Sequence, residues 1–572
     1  MATSYDAATQ CWHGQYRPPI LNPAANLGPV LLNVLERTPH KPAQLNADNG
    51  TILTCIELRR RSVRFAQFLN TAGFRQDEVV ALIARNSDNV APVAFGCFLA
   101  GVPLNTLDPA FSVAEVAHVL RLTRPKFVVG DLDAIAVVRE AAGLVELSFD
   151  RPFGVLLSGD DPLPDDCFHV GELLECTGAQ DDPARLKEDA FVPLYHGDSA
   201  KLTGTIVCSS GTTGLPKAVR LSHAQLIAGY QRISQLDRDE TILCFSTLYW
   251  ISGVQMLLTG VLNGIRRVIT AKRGTPERTI DLCNRYGVTL LLVTPALASD
   301  IVRALAPTGQ LPSVRLFAIG GSAVPVGLRT VINQRVLVSG KGRCFVGYGT
   351  SETGSISYEL IPRGDSVGFL LPGVTAKIVD ETGQSLGPGE SGELLVRPVY
   401  PFLGYHSDSL ATHAVLDEDG FVRTGDIAYF DDAGFLYLVD RKREILKYDN
   451  YQIAPAELES RIGELTGVRQ VVVIGLTNSD RPYNDRATAL IVRMDNDDGR
   501  PDLLTEQRVV EHCARTPDGQ IRPVHKHLHG GVIFVEQLPM TVSGKVMRGA
   551  AKQLATEQVS LRNSKTTRTD MV

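Results

Sequence analysis

No stretch of the 572-residue chain reaches about 18 uninterrupted apolar residues, so a membrane-spanning helix is not expected. Paired cysteines are missing as well. Cys11, Cys55, Cys97, Cys167, Cys176, Cys208, Cys244, Cys283, Cys344 and Cys513 include no C-x-x-C and no Cys/His cluster at metal spacing. This excludes a zinc module and points to a reducing compartment. Charge of one sign is not in excess: 57 Lys+Arg face 63 Asp+Glu, which gives no electrostatic reason to expect a nucleic-acid partner. The first residues, MATSYDAATQCWHGQYRPP, have neither a basic nor an apolar leader region, and the last four, TDMV, are not a Ser-Lys-Leu type of address. The expected location is therefore the cytoplasm, with the peroxisome as the alternative. What remains, 44% hydrophobic and 21% charged residues, is the composition of a globular protein of more than one domain.

Short β-branched runs at 78–84, 126–129, 203–208, 288–293 and 314–319 alternate with helical patterns such as 58–72 and 113–122. That alternation predicts βα units on largely parallel sheets. After residue 331 the texture changes, and 370–396 and 421–439 read as hairpins of a small β subdomain. The charged run 440–450, DRKREILKYDN, is a plausible joint. Beyond it a helix from 456, strands at 468–476 and 487–493 and a helix at 504–515 predict a compact α+β unit, followed from 558 by a polar tail.

Four motifs carry the chemistry. Residues 203–217, TGTIVCSSGTTGLPK, run from an apolar strand into hydroxyls and glycines and end on Lys217. Such a loop offers backbone N–H groups and a mobile positive charge to phosphate oxygens, although a plain solvent loop has the same composition. It is not a Walker A loop, because Lys217 follows Pro216 and precedes Ala218. Residues 347–354, GYGTSETG, add an aromatic face at Tyr348 and a carboxylate at Glu352 suited to a hard cation. FVRTGD at 421–426 ends in Asp426, and a strand later stands Arg441; this pair suits ribose hydroxyls or a simple hairpin turn. PMTVSGK at 539–545 places Lys545 on a short glycine turn.

Together, in this order, the motifs resemble the adenylate-forming superfamily of acyl-CoA synthetases, 4-coumarate-CoA ligase-like enzymes and luciferases. KYDNYQIAPAELES, at 447–460, is similar to the same stretch of the luciferase and coumarate-ligase branch, which gives the chain the look of an insect luciferase-like fatty acyl-CoA synthetase. The resemblance implies an adenylation domain over 1–440, a hinge at 441–443 centred on Arg443, a mobile C-terminal domain over 444–557 and a disordered tail over 558–572. It implies that Ser209, Ser210, Gly211, Thr212, Thr213, Gly214 and Lys217 steady the phosphates of ATP. Gly320, Gly321, Ser322 and Ala323 would border adenine, with Gly347, Tyr348 and Gly349 beside its ring. Ser351 would hold the α-phosphate, Glu352 the Mg²⁺, and Asp426 with Arg441 the ribose. Lys545 would serve adenylation, and Lys447 the later transfer to coenzyme A.

Tyr249, Trp250, Gly253, Gly321, Gly349 and Gly354 are the implied substrate pocket. Where relatives carry histidine this chain has Tyr249, and Gly229 stands where luciferases use an arginine near luciferin. Both changes weigh against light emission. Asn450 replaces the usual glycine in the thiol's approach, so thiolation is less secure than adenylation. The expected function is ATP-dependent ligation of a medium- or long-chain fatty acid to coenzyme A, with release of pyrophosphate and AMP. The expected partners are a small carboxylic acid, ATP and coenzyme A, with no nucleic acid. A catalytically idle acyl or nucleotide binder and a luciferase-like oxidase are the alternatives.

Overall fold

The computed structural model describes residues 2–18, 21–22, 24–157, 162–175, 190–193, 197–209, 216–231, 240–305, 308–359, 361–448, 451–478, 481–494, 504–516, 519–540 and 545–569. Among the described residues three sheets of seven, nine and seven strands, the last antiparallel, precede a separate α+β unit, so the α/β reading holds. In the first sheet Thr203–Ser209 lies beside Leu104–Leu107 in parallel and pairs antiparallel with Lys217–Ser222 at the edge. The second, nine-stranded sheet is parallel through Leu290–Val293, Leu316–Ile319 and Arg343–Thr350, and turns antiparallel at Gly354–Tyr358. Strands of such sheets are covered on both faces, which accounts for their continuous apolar runs. The helix Val90–Ala100 is buried at every residue, as a helix apolar all round must be. It packs with Leu27–Arg37, Cys55–Thr71 and Ile251–Leu262 in one core. His223 is structural: its Nδ1 accepts the buried Leu27 N–H at 3.2 Å.

The antiparallel sheet contains the hairpins expected after residue 331, and it also takes in the chain's beginning. Thr3–Asp6 and Cys11–Gly14 form a hairpin that pairs with Thr375–Val379. Trp12, 2% exposed, stacks on Phe430 with ring centroids 4.5 Å apart. Phe430 ends the strand Val422–Phe430, which also carries Asp426. The first residues thus brace the strand of a candidate ligand.

In the C-terminal unit Val468–Asn478 and Arg481–Arg493 pair antiparallel, and Gly531–Phe534 adds in parallel. Alternation sorts their side chains: Val473, Ala487, Ala489 and Ile491 enter one core, and Val472, Ile474, Leu490 and Val492 enter another. Helices Pro455–Gly463 and Glu506–Cys513 cover the first face. The second is covered by Arg548–Thr569 through Ala551, Ala555 and Val559. This last helix runs through most of the stretch expected as a disordered tail from 558. Val559 continues the spacing of Ala551 and Ala555 onto the same core, so packing carries the helix into that stretch.

Arg548 fixes this helix. Its guanidinium bonds Glu459 at 2.7 Å, Glu444 at 2.7 Å and the Val473 carbonyl at 2.7 Å. Three residues before it stands Lys545, and beside Glu444 stands Arg443.

Trp12→Ala removes a fully packed indole and should destabilise the fold by about 3–5 kcal/mol. Urea unfolding followed by circular dichroism checks this; a loss under about 1 kcal/mol contradicts the bracing role.

Candidate active site

The phosphate-loop motif is held at both ends. Ser209 closes a buried strand and pairs across the edge with Lys217, so the loop leaves and re-enters at one point. Ser210, Gly211, Thr212, Thr213 and Gly214 lie outside the described residues. Ser209 Oγ donates to Glu352 Oε1 at 3.4 Å, which joins the first and second motifs although they stand 143 residues apart.

Tyr405 completes this corner and was not singled out in the sequence. Its hydroxyl donates to the same Glu352 oxygen at 2.8 Å, and the Lys217 ammonium lies 4.7 Å from its ring centroid. A bridge to Val219 fixes its backbone. Burial first, then the Glu352 charge, pushes the Tyr405 hydroxyl well above the ordinary value, so it remains a donor. The aromatic in LGYH was the only available signal.

Glu352 sits with Ser351 on the turn between Arg343–Thr350 and Gly354–Tyr358. Thr350 Oγ1 accepts the Thr353 N–H at 3.2 Å and tightens that turn. Gly349 is required there, since a Cβ would stand 2.4 Å from the Gly354 carbonyl oxygen. Tyr348 from the same hairpin donates its hydroxyl to Asp426 Oδ2 at 2.5 Å. Arg441, the cross-strand partner of Asp426, meets its other oxygen at 2.6 Å. Burial raises the Asp426 pKa, and the Arg441 charge and the Tyr348 hydroxyl oppose it.

Lys545 reaches this pair from the C-terminal unit. Its Cε lies 3.7 Å from where a Gly321 Cβ would stand, and its ammonium is 5.7 Å from the Trp250 ring centroid. Gly321, at φ +99°, shapes the turn after Leu316–Ile319 that includes Gly320, Ser322 and Ala323. Burial and then Arg441 lower the Lys545 pKa, while Asp426 raises it. Arg443 sits in the turn after Leu436–Arg441 and is half exposed, with Nε 3.8 Å from Glu444. Lys447 lies on Leu446–Tyr448, paired with Tyr451–Ile453; Asn450 lies outside the described residues.

Behind the Glu352 hairpin is a mostly apolar cavity lined by Gln225, Gly229, Ile251, Val254, Gln255 and Gly354, among others. Of the six expected pocket residues only Gly354 lines it, and Tyr249 and Gly253 are taken up by the protein's own packing. Tyr249 is 6% exposed and packs edge-on against Phe111 and Trp250, so its ring belongs to the core. Gly253 is closed off by the Thr247 carbonyl oxygen, 2.0 Å from where a Cβ would stand, and serves the tight start of its helix. Trp250 remains half-buried beside Lys545.

A family model described as AMP-binding enzyme matches residues 32–406, and its C-terminal domain counterpart matches 457–545. The chain belongs to the AMP-binding enzyme family. A 4-coumarate–CoA ligase-like protein of Oryza sativa subsp. japonica is 30% identical over 532 residues, covering 90% of this chain and 91% of its own. A probable 4-coumarate–CoA ligase of Dictyostelium discoideum is 27% identical over 552 residues, covering 91% and 94%. The ATP-bound crystal structure of MatB from Rhodopseudomonas palustris shares the fold at TM-score 0.78 and 24% identity, covering 94% of this chain and 100% of that one.

This AMP-binding enzyme is an ATP-dependent acid:CoA ligase that works through an acyl-adenylate, with ATP, Mg²⁺ and coenzyme A. The residues present fit Mg²⁺. Among the described residues no group of three or more His, Cys, Asp or Glu forms a metal cage. Glu352 instead stands as a single carboxylate oriented by two hydroxyls, and magnesium takes such a ligand together with substrate phosphates.

Two outcomes follow from this geometry. Tyr405→Phe frees the Glu352 oxygen to turn, and should raise the Mg²⁺ concentration needed for half-maximal adenylation roughly 10-fold, the low end of what an outer-shell partner contributes; an unchanged magnesium titration contradicts the role. The Lys545 charge is present below its lowered pKa and lost as pH rises through it. With Lys545 in the role expected from the sequence, adenylation should fade on the alkaline side below the ordinary lysine value of 10.5. A pH profile of acid-dependent pyrophosphate release checks this.

Proposed function

We propose that the chain ligates an elongated apolar carboxylic acid to coenzyme A, with the motif residues in the roles their placement favours. The observation that carries this reading is Lys545, delivered from a separate unit to the Gly321 turn and within the influence of Asp426 and Arg441. A group that merely filled space would not need its ammonium buried there at a cost.

In the first half-reaction the carboxylate attacks the α-phosphorus of ATP and pyrophosphate leaves. Asp426 and Arg441 hold the ribose, Tyr348 flanks the adenine, Ser351 takes the α-phosphate, and Ser209, Lys217 and the loop between them retain the departing phosphates. Lys545 neutralises the charge that grows between carboxylate and α-phosphate. Catalysis here is positioning and charge stabilisation. Mg²⁺, held by Glu352, would supply further neutralisation of the phosphate oxygens. In the second half the C-terminal unit, 444–557, turns about Arg443, withdraws Lys545 and presents the face of Lys447, so that the thiol displaces AMP. The hinge at 441–443 and the domain division at 440 belong to this proposal.

Room for the acid comes from glycines. At Gly229 and Gly354, among the described residues, nothing beyond the local chain lies within 4 Å of where a Cβ would stand. This space suits the medium- and long-chain fatty acids expected from the sequence, and equally the arylpropenoic acids in the relatives' names.

Pyrophosphate and AMP release from MgATP across fatty and arylpropenoic acids, with and without coenzyme A, tests the proposal. Turnover should require coenzyme A and yield the thioester. Lys545→Ala should slow adenylation about 100-fold or more, and Lys447→Ala should slow the thioester step while sparing adenylate formation. Silence across the panel would favour an idle binder, and adenylation unaffected by Lys545→Ala would remove that lysine from the mechanism.

A further inference from the structure

His118 stands outside the site, on the helix Val113–Thr123, yet it is bonded to the chain that enters the site. The helix is a firm platform. Ser112 and Glu115 cap its start reciprocally, and Val116, Ala117, Val119 and Leu120 are buried in one core with Cys208. At its end Thr123 Oγ1 donates to Asn105 Oδ1 at 3.2 Å, and Asn105 Nδ2 donates to the Ile206 carbonyl at 3.1 Å. Ile206 lies within Thr203–Ser209, so the helix is tied to that strand at its middle.

His118 makes a second tie, at the far side of the phosphate-loop motif. Its Nε2 lies 3.0 Å from the Pro216 carbonyl oxygen, and since a carbonyl only accepts, Nε2 carries the hydrogen. Nε2 bears that hydrogen in the charged ring as well as in this neutral tautomer, so the tie does not depend on the ring's charge. Pro216 is buried and has no N–H. Just before the strand Lys217–Ser222, the carbonyl is therefore the one backbone group of that residue through which the chain can be pinned. The carbonyl shares a rigid peptide plane with the Lys217 nitrogen. Pairing with Ser209 fixes Lys217 from across the strands, and His118 fixes the plane before it. From that start the Lys217 ammonium reaches its place 4.7 Å from the Tyr405 ring centroid, and the Tyr405 hydroxyl in turn holds Glu352.

We infer that His118 is a positioning residue for the outer phosphates of ATP: through the Pro216 carbonyl it sets Lys217, and Lys217 meets those phosphates. The inference rests on the phosphate role proposed above for Lys217.

Titration calorimetry with MgATP and with AMP, which lacks the outer phosphates, tests it without needing the acid. His118→Phe keeps a ring and loses the donor. It should weaken MgATP binding about 5-fold, the worth of one ordinary hydrogen bond, and leave AMP within about 2-fold. His118→Gln, whose amide extends a donor about as far as Nε2, should restore MgATP binding to within about 2-fold of native. Lys217→Ala should weaken MgATP by itself, and adding His118→Phe to it should cost less than about 2-fold more, because the two residues act in series. Unchanged MgATP affinity in His118→Phe, or an equal loss for MgATP and AMP, overturns the inference; with Lys217→Ala still impaired, the proposed function stands. If Lys217→Ala binds MgATP like the native chain, the phosphate role of Lys217 falls and the inference with it. Should His118→Phe not fold, His118→Asn, whose amide falls short of Pro216, takes its place with the same outcomes.

Discussion

The buried carboxylate of Asp426 is the constraint on which the site depends. A charge taken out of water must be met by partners, and Asp426 has one on each oxygen: the Tyr348 hydroxyl and the Arg441 guanidinium. Meeting that requirement fixes much else. Tyr348 is held on its hairpin, and with it the turn bearing Ser351 and Glu352. Arg441 is held at the last residue before the turn that contains Arg443. The field of the pair reaches Lys545, where Asp426 favours the ammonium and Arg441 opposes it. A ligand engaging Asp426 would therefore be sensed at Tyr348, Arg441 and Lys545 together.

The lysine stands next to a well-anchored helix. Arg548, three residues on, is bonded to Glu459, Glu444 and the Val473 carbonyl, which ties the start of that helix to the turn after Arg443. Burial raises the pKa of both carboxylates, and the Arg548 charge offsets it, as in other buried pairs where removing one partner strands the other. A swing about Arg443 would carry Lys545 away without deforming the unit that holds it.

Much of this was legible in the sequence. The alternation of β-branched runs with helical spacing marks the parallel sheets, and the apolar runs at 468–476 and 487–493 mark the C-terminal strands, because each element must bury one face or both. The four motifs were readable as a set, and Ser209, Glu352, Asp426, Arg441 and Lys545 are indeed brought together around one cleft. What could not be read depends on distant partners. The hairpin of Thr3–Asp6 and Cys11–Gly14 gains its place from residues more than 360 positions away, as in the Leu370 N–H donating to Thr3 Oγ1. Tyr405 is one aromatic among 15 tyrosines until the fold sets it on Glu352. Gly253 read as room for a substrate because an absent side chain looks the same whether ligand or backbone occupies the space. Tyr249 read as lining a pocket because an aromatic in the right motif does not disclose that Phe111 already covers it.

The proposed hold of Asp426 on the nucleotide is tested most directly by ATP affinity, measured by titration calorimetry on the native chain and on Asp426→Asn. Losing a charged acceptor for the ribose and the anchor of Tyr348 and Arg441 should weaken ATP binding by about 10-fold or more, as hydrogen bonds to a charged group imply. An Asp426→Asn chain that folds like the native one and binds ATP with unchanged affinity would contradict the account.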